Sequence, residues 1–115
     1  MVVGYDERAD RVFRALADST RRDIVVRTLS REHSVSGLAR LYPMSFADVQ
    51  KHVAVLEAAG LVTKCRRGRE VVVAGNVDTV RQASRVLEQL EAVWRGRIDR
   101  IGEILAEDPE GGAKR

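Results

Sequence analysis

The segment from Met44 to Val62 restricts the fold of this chain more than any other stretch. Ser45 followed by Asp48 has the S-x-x-D spacing of a capping box, which predicts the start of a helix. Helical spacing then places four apolar residues on one stripe: Val49, Val53, Leu56 and Ala59. Gly60 is well suited to end this helix, and the residues after it have a strand pattern. The segment therefore predicts a helix with one buried face that leads directly into a strand.

The opposite face of this helix is small or polar. It carries Gln50 and Lys51 between alanines and has no carboxylate between its first turn and Glu57, so it could lie in a major groove without repelling phosphates. Phe46 could touch a thymine methyl group, or it could pack as a hydrophobic staple onto the preceding helix. The predicted DNA contacts on this helix are Ser45, Phe46, Ala47, Gln50, Lys51 and His52. The alternatives are plain solvent exposure for Gln50 and Lys51 and, as the more common case, a hydrogen-bonded structural role for His52.

Three shorter helical patterns precede this segment. The first runs from about Asp6 to Ala17 and has apolar residues at intervals of three and four: Ala9, Val12, Phe13 and Leu16. The second runs from about Ser19 to Ser30, is capped by Asp18, and has three inward positions: Ile24, Val25 and Leu29. Arg21 and Arg22 near its start oppose the helix dipole, which calls for a phosphate or a nearby carboxylate. A solvated face with local ion pairs is the alternative.

The third pattern is short and follows a polar turn at residues 31–33, in which His33 is expected to be exposed. Ser34 or Ser36 can cap a helix that contains Leu38, Ala39 and Leu41. Pro43 ends this helix, because the residue before a proline is biased away from helical geometry. A turn of about four residues joins this third helix to the helix that begins at Ser45. The two helices and the turn together have helix-turn-helix dimensions.

Two runs rich in valine and threonine follow Gly60, at residues 61–67 and 70–74. Gly68 and Arg69 separate them, and Gly68 can take the positive φ that a tight turn requires. A hairpin directly after a DNA-reading helix is a wing, placed to follow the sugar-phosphate backbone or to enter a minor groove. Its tip is basic, which predicts phosphate contacts by Arg66, Arg67 and Arg69. A solvated charged surface is the alternative.

From about Val77 to roughly Ala106 the pattern predicts one long helix. Its apolar residues alternate at spacings of three and four, close to a heptad: Val80, Ala83, Leu87, Leu90, Trp94, Ile98, Ile101 and Leu105. At about 1.5 Å per residue it spans on the order of 40 Å, longer than a small winged domain can cover. If this apolar stripe stayed in contact with water, the chain would forgo roughly 1.5–3 kcal/mol of burial free energy per large side chain. We therefore expect a second copy of the chain to cover it. A cavity between the paired helices is the natural place for a small-molecule effector.

Length and composition restrict the class of protein. At 115 residues the chain is long enough for one domain, which we place at residues 1–107 and follow with a disordered tail at 108–115. No segment approaches the roughly 18 apolar residues of a membrane span, and the N-terminus lacks an apolar run of signal-peptide length, so we expect a cytoplasmic protein. Cys65 is the single cysteine, so it forms no intrachain disulfide and no thiolate metal site by itself.

Two segments resemble one known family. Residues 13–24, FRALADSTRRDI, resemble the first helix junction of ArsR/SmtB-family winged-helix repressors, which usually carry proline where Ser19 stands. Residues 49–62, VQKHVAVLEAAGLV, are similar to the recognition helix of that family and its exit, and the likeness extends from about Ala9 to Leu105. It implies a mainly α fold with a small β-hairpin, a winged helix-turn-helix that dimerises through its first and last helices. It also implies a repressor, often of its own operon, whose two recognition helices enter successive major grooves of a pseudo-palindromic operator.

The resemblance also implies an interface between two copies, whose expected residues are Val12, Phe13, Val80, Leu87, Leu90, Trp94, Ile98 and Ile101. The segment from Trp94 to Asp99 looks like a branch of the family without metal sensing. Metal sensors of this family place a cysteine pair where this chain has Val35, Ser36 and Gly37, and the last helix here has no histidine. Zinc and arsenite sites need several soft or imidazole ligands, so we expect no metal and no other cofactor.

The sequence thus favours a sequence-specific DNA-binding transcriptional regulator, with double-stranded DNA and a second copy of the chain as its partners. The alternative is a protein-interaction module that uses the same scaffold and the basic hairpin to bind an acidic protein. An enzyme is the weakest hypothesis, because no Ser/His/Asp or Cys/His constellation, paired acid cleft or phosphate loop is visible.

Overall fold

Helices make up most of the chain, with a small antiparallel sheet among them. The computed structural model describes residues 7–107, so the tail predicted at 108–115 lies outside the described residues. The elements in order are α1 (Glu7–Leu16), α2 (Ser19–Ser30), β1 (His33–Ser34), α3 (Val35–Ala39), α4 (Phe46–Ala58), β2 (Val62–Arg67), β3 (Glu70–Gly75) and α5 (Val77–Glu107). The strand order in the sheet is β1–β3–β2. The predicted fold class, mainly α with a β-hairpin, is confirmed.

Contacts divide the chain into two compact units, one that ends at Ala83 and one that begins at Ser84. The first residues of α5 belong to the first unit and the remainder to the second. The single domain expected over residues 1–107 stays a prediction. Among residues 7–107, no helix combines the length and the apolar character that crossing a membrane requires.

The junction of α1 and α2 explains the two arginines that oppose the dipole of α2. Asp18 caps α2 as predicted, because its Oδ2 accepts the backbone N–H of Arg21 at 3.0 Å. The Arg21 side chain donates from Nε to the carbonyl of Ala15 at 2.7 Å, and Arg22 Nη1 donates to the carbonyl of Leu16 at 2.7 Å. These carbonyls belong to the last turn of α1, where no intrahelical N–H is available. Both arginines therefore cap the negative end of α1, a role that neither sequence alternative included.

A short strand stands where the sequence indicated a polar turn. His33 pairs with Val73 and Ser34 pairs with Val72, so β1 extends the hairpin into a three-stranded sheet. His33 is half-buried, and its expected exposure in a turn was wrong. A strand of two residues is too short to show alternation in sequence, which is why periodicity missed it. Ser34 also caps α3, since its Oγ accepts the backbone N–H of Gly37 at 2.9 Å.

One expected inward position and one residue expected in the third helix lie at the surface. Leu29 is 39% exposed, whereas Thr28 beside it is buried and donates its hydroxyl to the carbonyl of Ile24 at 2.7 Å. Leu41 is 44% exposed, because α3 ends at Ala39, before the proline that was expected to end it. The connection to α4 therefore runs over residues 40–45 and is longer than the predicted turn.

The core of the first unit lies between α4 and the helices that precede it. All four apolar residues of the predicted stripe are buried: Val49, Val53, Leu56 and Ala59. They join Ile24 of α2, Leu38 of α3 and Leu61 just before β2, each with no exposed surface. The stripe predicted from helical spacing is therefore confirmed as the side by which α4 is held.

The hairpin forms as the sequence predicted, with a register that pairs Arg67 with Glu70 across the turn. Gly68 has a φ of 65° in that turn, and Gly60 has a φ of 80° at the end of α4, so both adopt the left-handed conformation that favours glycine. Gly75 at the end of β3 serves close packing instead. A Cβ there would lie 2.8 Å from Cγ and the backbone N of Leu29, so a larger residue would push β3 away from α2.

Candidate nucleic-acid interface

The outward face of α4 is free for contact along most of its length. Ser45 caps the helix, because its Oγ accepts the backbone N–H of Asp48 at 3.0 Å. Ala47, Gln50 and Lys51 are all exposed, as the sequence predicted for a face opposite the buried stripe. The cap leaves the other backbone N–H groups of the first turn pointing out of the helix, where they and the dipole favour an anion such as a phosphate.

Phe46 is 46% exposed at the start of this face. It lines a cleft of about 170 Å³ together with Val35 of α3, Val53 of α4 and Val71 of β3. Both sequence interpretations, a contact to thymine and a staple toward α3, are compatible with this half-exposed position, and the contact to thymine stays a prediction.

The same cleft joins the recognition helix to the wing. Gln50 of α4 and Arg69 from the turn of the hairpin line it, and Lys64 of β2 lines its side. Lys64 Nζ also lies 3.4 Å from Glu57 Oε1, an ion pair that connects β2 to α4. Gln50, predicted to contact bases, and Arg69, predicted to contact phosphates, therefore border one continuous surface.

His52 has local partners on α2. Its Nδ1 lies 3.4 Å from Arg21 Nη1 and 3.9 Å from Asp18 Oδ2, and its side chain is only 22% exposed. The pKa of Asp18 is lowered, chiefly by the backbone N–H of Arg21 that it accepts, with His52 and the Arg21 charge acting in the same direction against burial. These contacts favour the structural alternative for His52 over base contact.

The three arginines of the wing differ in their surroundings. All are exposed, but Arg67 is engaged by Glu32: Nη1 lies 2.8 Å from Oε1, and Nη2 lies 3.3 Å from Oε2. The hydrogen bonds and charge of Arg67 lower the pKa of Glu32, and Glu32 in turn raises the pKa of Arg67. Within residues 7–107, Arg66 and Arg69 form no ion pair. Arg66 and Arg69 can therefore meet phosphates directly, whereas Arg67 must first leave a carboxylate.

The residues expected at an interface between copies fall into two groups. Val12 is 3% exposed and belongs to the core of the first unit, and Phe13 and Val80 are half-buried against that core. Because Val12 is buried within its own chain, it has almost no surface left to contribute to an interface. In the second unit the large apolar side chains are exposed on α5: Leu87, Leu90, Trp94, Ile98 and Ile101. Glu91 and Arg95 form an i, i+4 ion pair on the same helix, with 2.8 Å between Oε2 and Nη2.

Cation binding finds no support in the part of the chain that the structure describes. Residues 7–107 contain no group of three or more His, Cys, Asp or Glu side chains placed to hold a metal ion. Metal sensors of the resembled family carry cysteines at the positions of Val35, Ser36 and Gly37. In this chain these residues lie in α3, at the wall of the cleft or beside it.

No family model matches the chain. Over 53 residues it is 47% identical to the HTH-type transcriptional regulator Rv2034 of Mycobacterium tuberculosis, a match that covers 46% of this chain and 50% of that protein. The chain therefore spans about half the length of the curated relative that it matches.

The solved structures give a longer match. An ArsR-like transcriptional regulator from Rhodococcus sp. RHA1 is 33% identical, with a TM-score of 0.75 over 85% of this chain and 92% of the other. The chain belongs to the ArsR-like transcriptional regulators. A second structure, the homodimeric winged helix-turn-helix DNA-binding domain Mb0332 from Mycobacterium bovis, is 22% identical with a TM-score of 0.62 over 79% and 91% of the two chains, and shows the shared fold.

Membership of this family confirms the resemblance drawn from residues 13–24 and 49–62. The ArsR-like relatives are transcriptional regulators, so the comparisons do not support the alternative of a module for acidic protein partners. The winged helix-turn-helix assignment of α3, α4 and the β2–β3 hairpin is likewise confirmed.

Proposed function

We propose that this ArsR-like regulator binds a pseudo-palindromic operator as a homodimer and represses transcription from it, in the cytoplasm. The observation that carries the proposal is the surface shared by α4 and the wing, on which Gln50 and Arg69 border one cleft. A helix face with small and amide side chains suits the floor of a major groove, and a guanidinium beside it suits the phosphate backbone.

Affinity would come mainly from the backbone contacts. Arg66 and Arg69 are exposed and form no ion pair within the described part of the chain, so each can release a counterion when it meets a phosphate. Two subunits with about four phosphate contacts each would lose several orders of magnitude in affinity between about 50 and about 200 mM salt.

Specificity would come from a few contacts to base edges. Gln50 can bind adenine through its amide in the major groove, and Lys51 can reach guanine O6 or N7. Phe46 and Ala47 can accept a thymine methyl group at the start of the helix. Ser45 would contribute as the cap that fixes this first turn, with its hydroxyl near the phosphates.

Dimerisation follows from the exposed apolar side chains of α5. A second copy is the simplest surface that matches this stripe, because a two-fold axis repeats the same complementary residues on both sides. The proposed interface comprises Phe13, Val80, Leu87, Leu90, Trp94, Ile98 and Ile101. A small-molecule effector would bind between the paired α5 helices, beside Trp94 and Ile98.

The test is a binding selection with the purified protein on genomic fragments, followed by footprinting of the selected DNA. We expect two protected half-sites about one helical turn, or about 34 Å, apart. Gln50→Ala with Lys51→Ala should weaken binding to the selected site more than binding to random DNA. Arg66→Ala with Arg69→Ala is the matched control, which should weaken both alike and flatten the salt dependence. Equal losses on both DNAs for the Gln50 and Lys51 variant would reject base reading, and a shallow salt slope for the wild type would reject the docking mechanism.

A further inference from the structure

The connection between α3 and α4 is attached to α2 by three side chains that lie outside the proposed DNA contacts. Tyr42, in this connection, donates its hydroxyl hydrogen to Asp23 Oδ2, with 2.5 Å between the oxygens. Arg27 Nε donates to the same oxygen at 2.8 Å, and the guanidinium carbon of Arg27 lies 5.8 Å from the centre of the Tyr42 ring. Asp23 and Arg27 are one helical turn apart on α2, so the cluster joins a rigid helix to the residues that lead into α4.

We propose that Tyr42 is a positioning residue for the recognition helix: its bond to Asp23 fixes the start of α4 on α2 and thereby sets the orientation in which α4 meets DNA. The inference rests on the proposed function and deepens it, because it names the residue on which operator specificity depends without any contact to a base.

Elsewhere in the connection Met44 also packs against the core, but within the described residues no other side chain of the connection hydrogen-bonds to α2. Leu41 and Pro43 are exposed, and the backbone hydrogen bonds here are local, from Leu41 N to Leu38 O and from Met44 N to Tyr42 O, each at 2.9 Å. Local bonds fix the shape of a turn but not its place on another helix. The bond from Tyr42 spans 19 positions of the chain, and Tyr42 also packs against the core, so it ties the turn to a distant element.

A second attachment lies farther along α4. His52 Nδ1 is 3.4 Å from Arg21 Nη1, again on α2. The buried stripe of α4 fixes which side of the helix faces the core, and polar attachments near its start and its middle restrict how the helix can rotate or slide on that side. Tyr42 and His52 therefore add to the core packing and refine the direction of α4.

The chemistry of the cluster suits a permanent attachment. Burial, with help from the bond to Asp23, raises the pKa of Tyr42 to about 12, so the phenol remains a donor at neutral pH. The hydrogen bonds from Tyr42 and Arg27 lower the pKa of Asp23, so the acceptor remains charged. A hydrogen bond to an ionised acceptor is shorter and stronger than one between neutral groups.

The first arm of the test uses Tyr42→Phe, which removes one oxygen and keeps the ring on the core. We expect affinity for the selected operator to fall about tenfold, the scale of one lost charge-assisted hydrogen bond, and affinity for random DNA to stay unchanged. Arg27→Gln should have a smaller effect, because the bond between Tyr42 and Asp23 remains. Thr28→Val is the structural control, since it removes a buried hydroxyl bond within α2 without touching the connection. A parallel loss on both DNAs, or the same loss of preference in Thr28→Val, would overturn the inference.

The second arm needs no DNA. In ¹H–¹⁵N spectra of the full chain, Tyr42→Phe should shift amide signals along α4 from Phe46 to Ala58, whereas Thr28→Val should shift those of α2. Changes confined to α2 and residues 40–45 in Tyr42→Phe would show that α4 keeps its place and would overturn the inference. If the wild type prefers no DNA at all, the proposed function fails for every variant alike, which separates that failure from failure of the role of Tyr42.

Discussion

The two units of this chain treat their large aliphatic side chains in opposite ways. In the first unit, Ile24, Leu38 and Leu56 have no exposed surface, and the helices and the sheet that bury them all come from the same chain. In the second unit, Leu90 is 63% exposed and Trp94 is 55% exposed. Burial of apolar surface is the main stabilising term in folding, so the first unit supplies its own stability, whereas residues 84–107 leave much of their apolar surface in water.

The two units also differ in what surrounds their helices. In the first unit, one side of α4 packs against the core. Residues 84–107 carry their apolar groups outward, so in the proposed dimer a second copy, and any effector bound beside it, would influence how they are arranged.

Charges placed on the exposed apolar stripe of α5 should have the largest effect, on dimerisation and on DNA affinity. In Trp94→Glu with Ile98→Glu, like charges would meet across the interface, so we expect monomers. A monomer engages one half-site, and its affinity for the full operator should fall by at least about 100-fold. Sedimentation velocity and fluorescence anisotropy measure the two effects. Ala92→Glu, a charge on α5 that lies off the stripe, is the control, and an unchanged dimer in the double variant would show that the stripe is not the interface.

Shortening a buried side chain of the first unit should have the next largest effect, on the free energy of unfolding. Leu56→Ala leaves a cavity under α4 and should lower the free energy of unfolding by about 2–5 kcal/mol. Val55→Ala removes a partly exposed side chain from the adjacent position and should change it by no more than about 0.5 kcal/mol. Urea unfolding followed by circular dichroism compares them at one protein concentration. Similar losses for both variants would mean that the first unit lacks the packed core described above.

A smaller effect is expected at the wing. Glu32 holds Arg67 through two hydrogen bonds, so an Arg67 that contacts phosphate must give up this partner. Glu32→Gln should therefore raise DNA affinity several-fold and steepen the salt dependence by about one contact. Glu91→Gln is the matched control, because it removes an equally charged and similarly exposed partner from Arg95. Weaker binding of Glu32→Gln would indicate that the pair holds the wing in its binding position instead.

The smallest effect should appear in acid. The pKa of Asp18 in the folded chain lies below its usual value of 3.8, chiefly because the carboxylate accepts the backbone N–H of Arg21. A lowered pKa stabilises the fold above the unfolded value, and the contribution is lost as the pH falls through the folded value. Asp18→Asn keeps a capping side chain without this titration and should flatten the loss of thermal stability below about pH 4. Identical acid profiles for both proteins would exclude this contribution.

Much of the fold was predictable because its signals are local. The predicted bounds of α2, Ser19 to Ser30, match the structure, since Asp18 sits directly before the helix that it caps. The hairpin was equally readable, because Gly68 supplies the one conformation that its turn needs. The outward face of α4 follows from helical spacing alone once the other face is buried, and it carries most of the candidate site.

The unpredicted features are contacts between distant residues. The capping of α1 by Arg21 and Arg22 depends on the angle at which two helices meet, and a sequence pattern contains no such angle. The attachment of Arg67 to Glu32 joins residues 35 positions apart. Leu29 has an apolar side chain at helical spacing, yet it lies at the surface because the buried side of α2 passes through Thr28.

By itself, the sequence determined where α2 and α4 begin, which side of α4 is buried and that the wing has a basic tip. Caps, turns and periodicity involve residues that are close in the chain, so these features can be read from short segments. Only the tertiary structure decided which charges of the wing are already paired, that Val12 belongs to a core and not to a surface, and that Tyr42 and His52 contact side chains of α2. Those outcomes depend on how elements pack against one another, because an ion pair or a hydrogen bond forms only where packing brings its two atoms within about 3–4 Å.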